Sequence, residues 1–162
     1  VAVLAVPGPP GLWRGWLAVE ALDGEDLLAR LRRGIDAGAA DARRALGAVR
    51  RAHDAGLEHP DLNLGNLFID REGAAHVLDL DGARLRTGAV GPGRRFRELL
   101  RLERSWLRNL GPVGPEGRTL DTWIHEVYVE GDRALARGLA SRRTRGAIAL
   151  AARGIRRRGG QG

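Results

Sequence analysis

Apolar and polar positions along this chain alternate between short runs of strand length and longer stretches of helical period. Val1–Val6 is apolar and β-compatible until Pro7-Gly8-Pro9-Pro10-Gly11 breaks it. A second run, Trp16-Leu17-Ala18-Val19, reads as a buried strand ending at Glu20. Asp23-Gly24 supplies a turn, and Glu25–Arg33 predicts a short helix with Leu27, Leu28 and Leu31 on one face. From Ala39 to Ala55 the positions Ala42, Ala45, Leu46, Val49 and Ala52 recur at three- and four-residue steps, with Arg43, Arg44, Arg50 and Arg51 largely off that stripe. Gly56 is placed to end this second helix. Two apolar triplets follow, Leu67-Phe68-Ile69 and His76-Val77-Leu78, separated by Asp70-Arg71-Glu72-Gly73; they predict a β-hairpin closed by glycine. Beyond a Gly/Pro connector at Gly88–Gly93, Phe96–Leu107 is amphipathic and Arg-rich, and Gly111-Pro112-Val113-Gly114-Pro115 ends it. Leu120–Val129 and Leu135–Ile155 predict two further helices, before Arg156-Arg157-Arg158 and a Gly tail.

Composition narrows this picture only modestly. With 162 residues, 43% hydrophobic and 29% charged, the chain can build a folded core. It has no Cys, which excludes disulfides and thiolate metal sites. The net charge of +7 comes from 27 Arg and no Lys, a bias that suits anionic partners or a plain solvated face. One Tyr and two Phe are too few for a single-strand stacking platform, so no nucleic-acid partner is expected. No run has the length of a membrane span, and the start lacks the basic flank of a signal peptide. Beginning at Val and holding no Met, the sequence reads as a piece of a longer protein.

Candidate chemistry concentrates between the second helix and the end of the hairpin. His59-Pro60-Asp61-Leu62-Asn63-Leu64-Gly65-Asn66 precedes it, and Leu78-Asp79-Leu80-Asp81-Gly82 follows it. A loop with Asp and, five positions on, Asn, then a second loop with Asp, is the residue order of kinase active sites. Phosphoryl transfer needs little covalent help from protein; it needs a carboxylate to orient the acceptor hydroxyl and hard oxygen ligands for Mg²⁺. Each residue also has a plainer reading. An isolated loop Asp usually forms a turn or caps a helix. His59 reads as structural, bonding backbone near the second loop, while His53 and His125 read as ordinary helix residues. Asp54 suits a cap or a pair with Arg50 or Arg51, and Asp81 a second metal ligand or a loop-stabilising acceptor.

Asp61-Leu62-Asn63-Leu64-Gly65-Asn66, Asp79-Leu80-Asp81 and the segment Leu99–Trp106 together resemble the bacterial lipopolysaccharide kinase family, in particular its members that phosphorylate 3-deoxy-D-manno-octulosonic acid (Kdo). The resemblance covers roughly Trp13 to Trp106. It implies a protein-kinase-like α+β fold: residues 1–22 a remnant of the N-lobe sheet and hinge, and residues 23–162 a mostly helical C-lobe with one small β-hairpin. Asp61 would be the catalytic base or hydroxyl-orienting group. Asn63, where protein kinases carry Lys, would contact the transferred phosphate or the acceptor. Asn66 and Asp79 would hold Mg²⁺, and the hinge at Glu20 and Leu22 would bind the adenine of ATP through its backbone. The implied acceptor is an anionic glycolipid, Kdo-lipid A, met at the cytoplasmic face of the inner membrane. No Gly-rich loop or strand Lys is present, so most of the N-lobe is missing. Two alternatives stay open: another small-molecule phosphotransferase of aminoglycoside or choline kinase type, and an inactive kinase-like fragment.

Overall fold

The structure, a computed structural model, describes residues 2–7, 9–10, 13–18, 21–33 and 35–141. The chain is α+β, with helices around small antiparallel sheets. Strands β1 (Ala2–Pro7) and β2 (Trp13–Ala18) form a hairpin in which Ala2 faces Ala18 and Pro7 faces Trp13. The ladder thus runs through Pro7, the first residue of the Pro/Gly cluster that was expected to break the run. β2 begins three residues earlier than the apolar run suggested.

The sequence predicts a helix from Glu25, but Glu25 does not start one. Gly24–Asp26 is a strand, β3, and the helix α1 runs Leu27–Arg33. β3 pairs antiparallel with β5 (Leu67–Asp70), with Gly24 opposite Asp70. That ladder decides the matter, because three backbone residues gain sheet partners that an extra helical turn would not supply. Asp26 then caps α1, its Oδ1 accepting from the Ala29 N–H at 2.8 Å.

Helix α2 (Ile35–Asp54) is the central element, burying Ala42, Ala45, Leu46 and Val49 as the stripe predicted. Its polar inward residue Asp41 is fully buried and paired with Arg30 at 2.6 Å and Arg44 at 3.2 Å. Gly56 ends it at φ +90, a left-handed conformation open to glycine at little cost. A Cβ there would sit 2.4 Å from the Arg86 carbonyl oxygen, so the position also lacks room for a side chain. The close approach lets β4 (Leu57–Glu58) pair with β7 (Arg84–Leu85).

The predicted hairpin is present. β5 pairs with β6 (Ala75–Val77), Leu67 opposite Val77, and Leu67 and Ile69 point into the core. Helix α3 (Pro92–Leu110) packs Leu99, Leu102 and Trp106 inward and stops at Gly111. Where one helix was expected over Leu120–Val129, α4 (Leu120–Trp123) passes into a π-helical turn, Ile124–Tyr128, closed by the Val129 N–H on the Ile124 carbonyl at 2.9 Å. The extra residue in that turn re-aims the chain so that Trp123, Ile124 and Tyr128 are all buried. The last helix among the described residues, α5, covers residues 133–141, and the remainder of the predicted Leu135–Ile155 helix lies outside the described residues.

Candidate active site

Between β4 and β5 the chain forms a compact loop whose backbone is fixed by its own side chains. Asn63 caps the 3₁₀ turn Leu64–Asn66: its Oδ1 accepts from the N–H groups of Gly65 (2.9 Å) and Asn66 (3.2 Å). Its Nδ2 donates to the Asp61 carbonyl and to Asp61 Oδ2, both at 3.1 Å. These four bonds tie Asn63 to the turn and to Asp61, one of them reaching the Asp61 carboxylate. Asn66 donates from Nδ2 to the Asp61 carbonyl at 2.9 Å, leaving its Oδ1 outside these bonds. Leu62 and Leu64, between the polar residues, are buried and anchor the loop to the core, while Asp61 itself is exposed.

The second loop is stitched to the first through Leu78. The Leu78 N–H donates to the Asn66 carbonyl at 2.8 Å, and the Leu78 carbonyl accepts from His59 Nε2 at 2.9 Å. The expected backbone role of His59 is therefore present. Since a carbonyl only accepts, Nε2 carries the proton; Nδ1 is then the acceptor for the Asp61 N–H at 3.2 Å. One buried imidazole thus joins the residue before Asp79 to Asp61 itself.

Asp79 adopts φ 56, one of two positive-φ non-glycine residues among those described. Such a conformation costs roughly 1–2 kcal/mol for an L-residue, less for Asp than for most. The Leu78 clamp holds it there, and its exposed carboxylate meets no cation among the described residues. Leu80 is 51% exposed, so the residue between Asp79 and Asp81 is not packed inward.

No group of three or more His, Cys, Asp or Glu able to hold a metal occurs among the described residues. That donor set still suits Mg²⁺, which keeps several waters and takes only one or two carboxylates when phosphates supply the rest. Asn66 Oδ1 and the Asp79 carboxylate are hard oxygen donors on two loops tied at Leu78, and would be the residues to hold the ion. When bound, it would neutralise charge on nucleotide phosphates.

Under these loops lies a buried polar network that periodicity alone did not reveal. Glu98, on α3 and 1% exposed, accepts through Oε2 from the His59 N–H and from His53 Nε2, each at 3.0 Å. His53 Nδ1 meets the Tyr128 hydroxyl at 2.5 Å. Burial pushes the Tyr128 phenol up to about 12, against the opposing pull of Arg95 and Arg50, so it remains an O–H donor to Nδ1. Arg95, 5% exposed, donates to Asp54 at 2.7 Å and to the Val90 carbonyl at 2.7 Å. Asp54 pairs with Arg50 as expected and also with Arg95. His53 is therefore no ordinary helix residue. The signal was available: His53 falls four residues after Val49 on the apolar stripe of α2, and Glu98 four before Leu102 on that of α3.

Of the two residues expected to form a hinge, Glu20 lies outside the described residues. Leu22 is 39% exposed. It precedes β3 by two residues, and Asp23 beside it is fixed to the hairpin turn by the Arg71 N–H at 2.9 Å. Asp61 and Asn66 adjoin the opposite end of β5, about 13 Å of strand away. The structure thus brings together Asp61, Asn63, Asn66 and the base of Asp79, and leaves Leu22 apart from them.

Residues 2–122 match the sequence profile of the lipopolysaccharide kinase (Kdo/WaaP) family. The chain belongs to that family. It is similar to the 3-deoxy-D-manno-octulosonic acid kinase of Xanthomonas oryzae pv. oryzae (strain PXO99A), 43% identical over 83 residues, 49% of this chain and 32% of the relative. The kinases of the same name from Xanthomonas euvesicatoria pv. vesicatoria (strain 85-10) and Xanthomonas campestris pv. campestris (strain B100) are each 42% identical, over 83 and 65 residues. The matched segment spans about a third of the first of these relatives' length. The family resemblance read from Asp61–Asn66 and Asp79–Asp81 is thereby established, and with it a kinase family.

Proposed function

We propose that this protein takes part in ATP-dependent phosphorylation of a sugar hydroxyl, on the Kdo residue of the lipopolysaccharide inner core. The observation that carries the reading is the joining of the Asp61 and Asp79 loops at Leu78, in a chain of the lipopolysaccharide kinase family. Asp61, held by Asn63, accepts or orients the proton of the attacking hydroxyl. Asn66 and Asp79 hold Mg²⁺, and the backbone at Glu20 and Leu22 receives the adenine. In this reading β1–β2 is the remnant of an N-lobe, and the rest is a C-lobe. The names of the Xanthomonas relatives and the excess of Arg both favour an anionic acceptor over the cationic acceptors of aminoglycoside or choline kinases. Such an acceptor would be met at the cytoplasmic face of the inner membrane; among the described residues no helix is long and apolar enough to cross one.

Phosphate transfer by the natural full-length protein to Kdo-lipid A, an aminoglycoside and choline, at low and high salt, tests this. Turnover of Kdo-lipid A that weakens as salt rises is expected, because salt screens exposed Arg contacts. Preferential turnover of either cationic compound overturns it.

A further inference from the structure

An open groove of about 510 Å³ runs beside Asp61, between α1, the Asp61 loop and α3. Its lining includes Asp61 and Asn63 of the loop and Arg101, Arg104, Ser105 and Arg108 of α3, but neither Asn66 nor Asp79.

Three observations single out its arginines. Their spacing of three and four residues puts Arg101, Arg104 and Arg108 on one face of α3, over about 10 Å of helix. Seven arginines around the core, Arg30, Arg44, Arg50, Arg86, Arg94, Arg95 and Arg118, each pair with a carboxylate. No carboxylate pairs with Arg101, Arg104 or Arg108 among the described residues; Arg104 donates only to the Leu100 carbonyl, at 3.2 Å. Finally, the face is fixed relative to Asp61. Ser105 Oγ accepts from the Leu64 N–H at 3.2 Å, and Asn109 accepts from Arg32 of α1 at 2.9 Å while donating to the Ser105 carbonyl at 2.7 Å. Buried Trp106 anchors the same turn. Guanidinium groups left without carboxylates beside a catalytic Asp favour a carboxylate or phosphate, which each can bind through two parallel hydrogen bonds.

We propose that Arg101, Arg104 and Arg108 form the anion-binding wall of the acceptor site, gripping a carboxylate or phosphate of the sugar substrate so that its hydroxyl meets Asp61. The proposal rests on the reading of Asp61 as the catalytic carboxylate. Loss of one charge-assisted contact weakens binding on the order of tenfold.

The test uses the natural full-length protein and its Arg101→Gln, Arg108→Gln and double variants, with Arg97→Gln, an exposed arginine of α3 outside the groove lining, as control. Steady-state kinetics are measured with Kdo-lipid A, with its carboxyl-reduced form and with its dephosphorylated form. Expected is a rise in KM for Kdo-lipid A of about tenfold per groove arginine, more in the double variant, with KM for ATP unchanged and Arg97→Gln like the parent. The acceptor form whose modification abolishes the difference between parent and variant identifies the anion held. An Arg101→Lys, Arg108→Lys variant should recover part of the loss. Equilibrium binding of free Kdo, against its carboxyl-reduced form and inorganic phosphate, runs alongside. Unchanged acceptor KM in the groove variants, or equal loss in Arg97→Gln, overturns the anion wall while leaving the proposed function intact. Where the parent does not turn over Kdo-lipid A, the proposed function fails, and the wall is judged by binding: anion affinity lost in the double variant supports it, and affinity unchanged overturns it.

Discussion

His59 donates from Nε2 to the carbonyl of Leu78 at 2.9 Å, while its Nδ1 accepts from the Asp61 N–H at 3.2 Å. The imidazole is 2% exposed, so neither bond is readily replaced by water. His59→Ala should therefore cost stability of about 1–3 kcal/mol and weaken Mg-ATP binding, because Asp79 follows directly on Leu78. Urea unfolding and nucleotide titration measure the two effects. Lost stability with intact nucleotide affinity would show that the clamp does not position Asp79.

Asp79 carries a backbone conformation that suits glycine better. Asp79→Gly removes a left-handed penalty of about 1 kcal/mol, partly offset by the greater freedom of glycine in the unfolded chain. The variant should unfold no more easily than the parent, yet fail to bind Mg-ATP. A destabilised variant would mean that the Asp79 side chain holds the loop rather than a metal.

Glu98 receives two N–H donors in the protein interior, one from His53 and one from the backbone of His59. Replacing it by Gln substitutes a weaker acceptor and adds two donors with no assigned partners. Glu98→Gln should lose about 1–3 kcal/mol in chemical denaturation. Stability unchanged within experimental error would mean that the network relaxes around the amide.

Acid should reveal the pairing of Asp54. Burial raises its pKa, but the hydrogen bonds and charges of Arg95 and Arg50 outweigh that and leave it below its ordinary value of 3.8. A depressed folded pKa means that the unfolded state takes up the proton first. The stabilisation is therefore complete above about pH 3.8 and lost as pH falls through the folded value. Because the Asp54 side chain is 46% exposed, solvent screening keeps the effect modest. The stability gap between parent and Asp54→Asn should narrow as pH drops from 5 towards 3, and a constant gap would contradict the linkage.

Local residue types made the hairpin and both loops legible, since apolar triplets, a Gly-closed turn and Asp/Asn spacing all act over short range. What escaped depended on distant partners. Glu25 and Asp26 read as a helix start until β5 offers them a ladder, and Ile124–Tyr128 as an ordinary helix until Tyr128 must reach His53. Asn63 was found by its place in a motif, but its grip on Asp61 is a matter of loop geometry that the spacing does not state. The arginines of α3 could be counted in sequence; only folding distinguishes those paired with carboxylates from the three that line the groove.

The central claim is that Asp61 serves the chemical step and Asp79 the metal. Single-turnover transfer from labelled ATP, with nucleotide affinity measured separately, tests it most directly in the natural full-length protein. Asp61→Ala should lower the transfer rate by several orders of magnitude with ATP affinity little changed, and Asp79→Ala should abolish Mg-dependent ATP binding. Mild and equal effects from both substitutions would contradict the account.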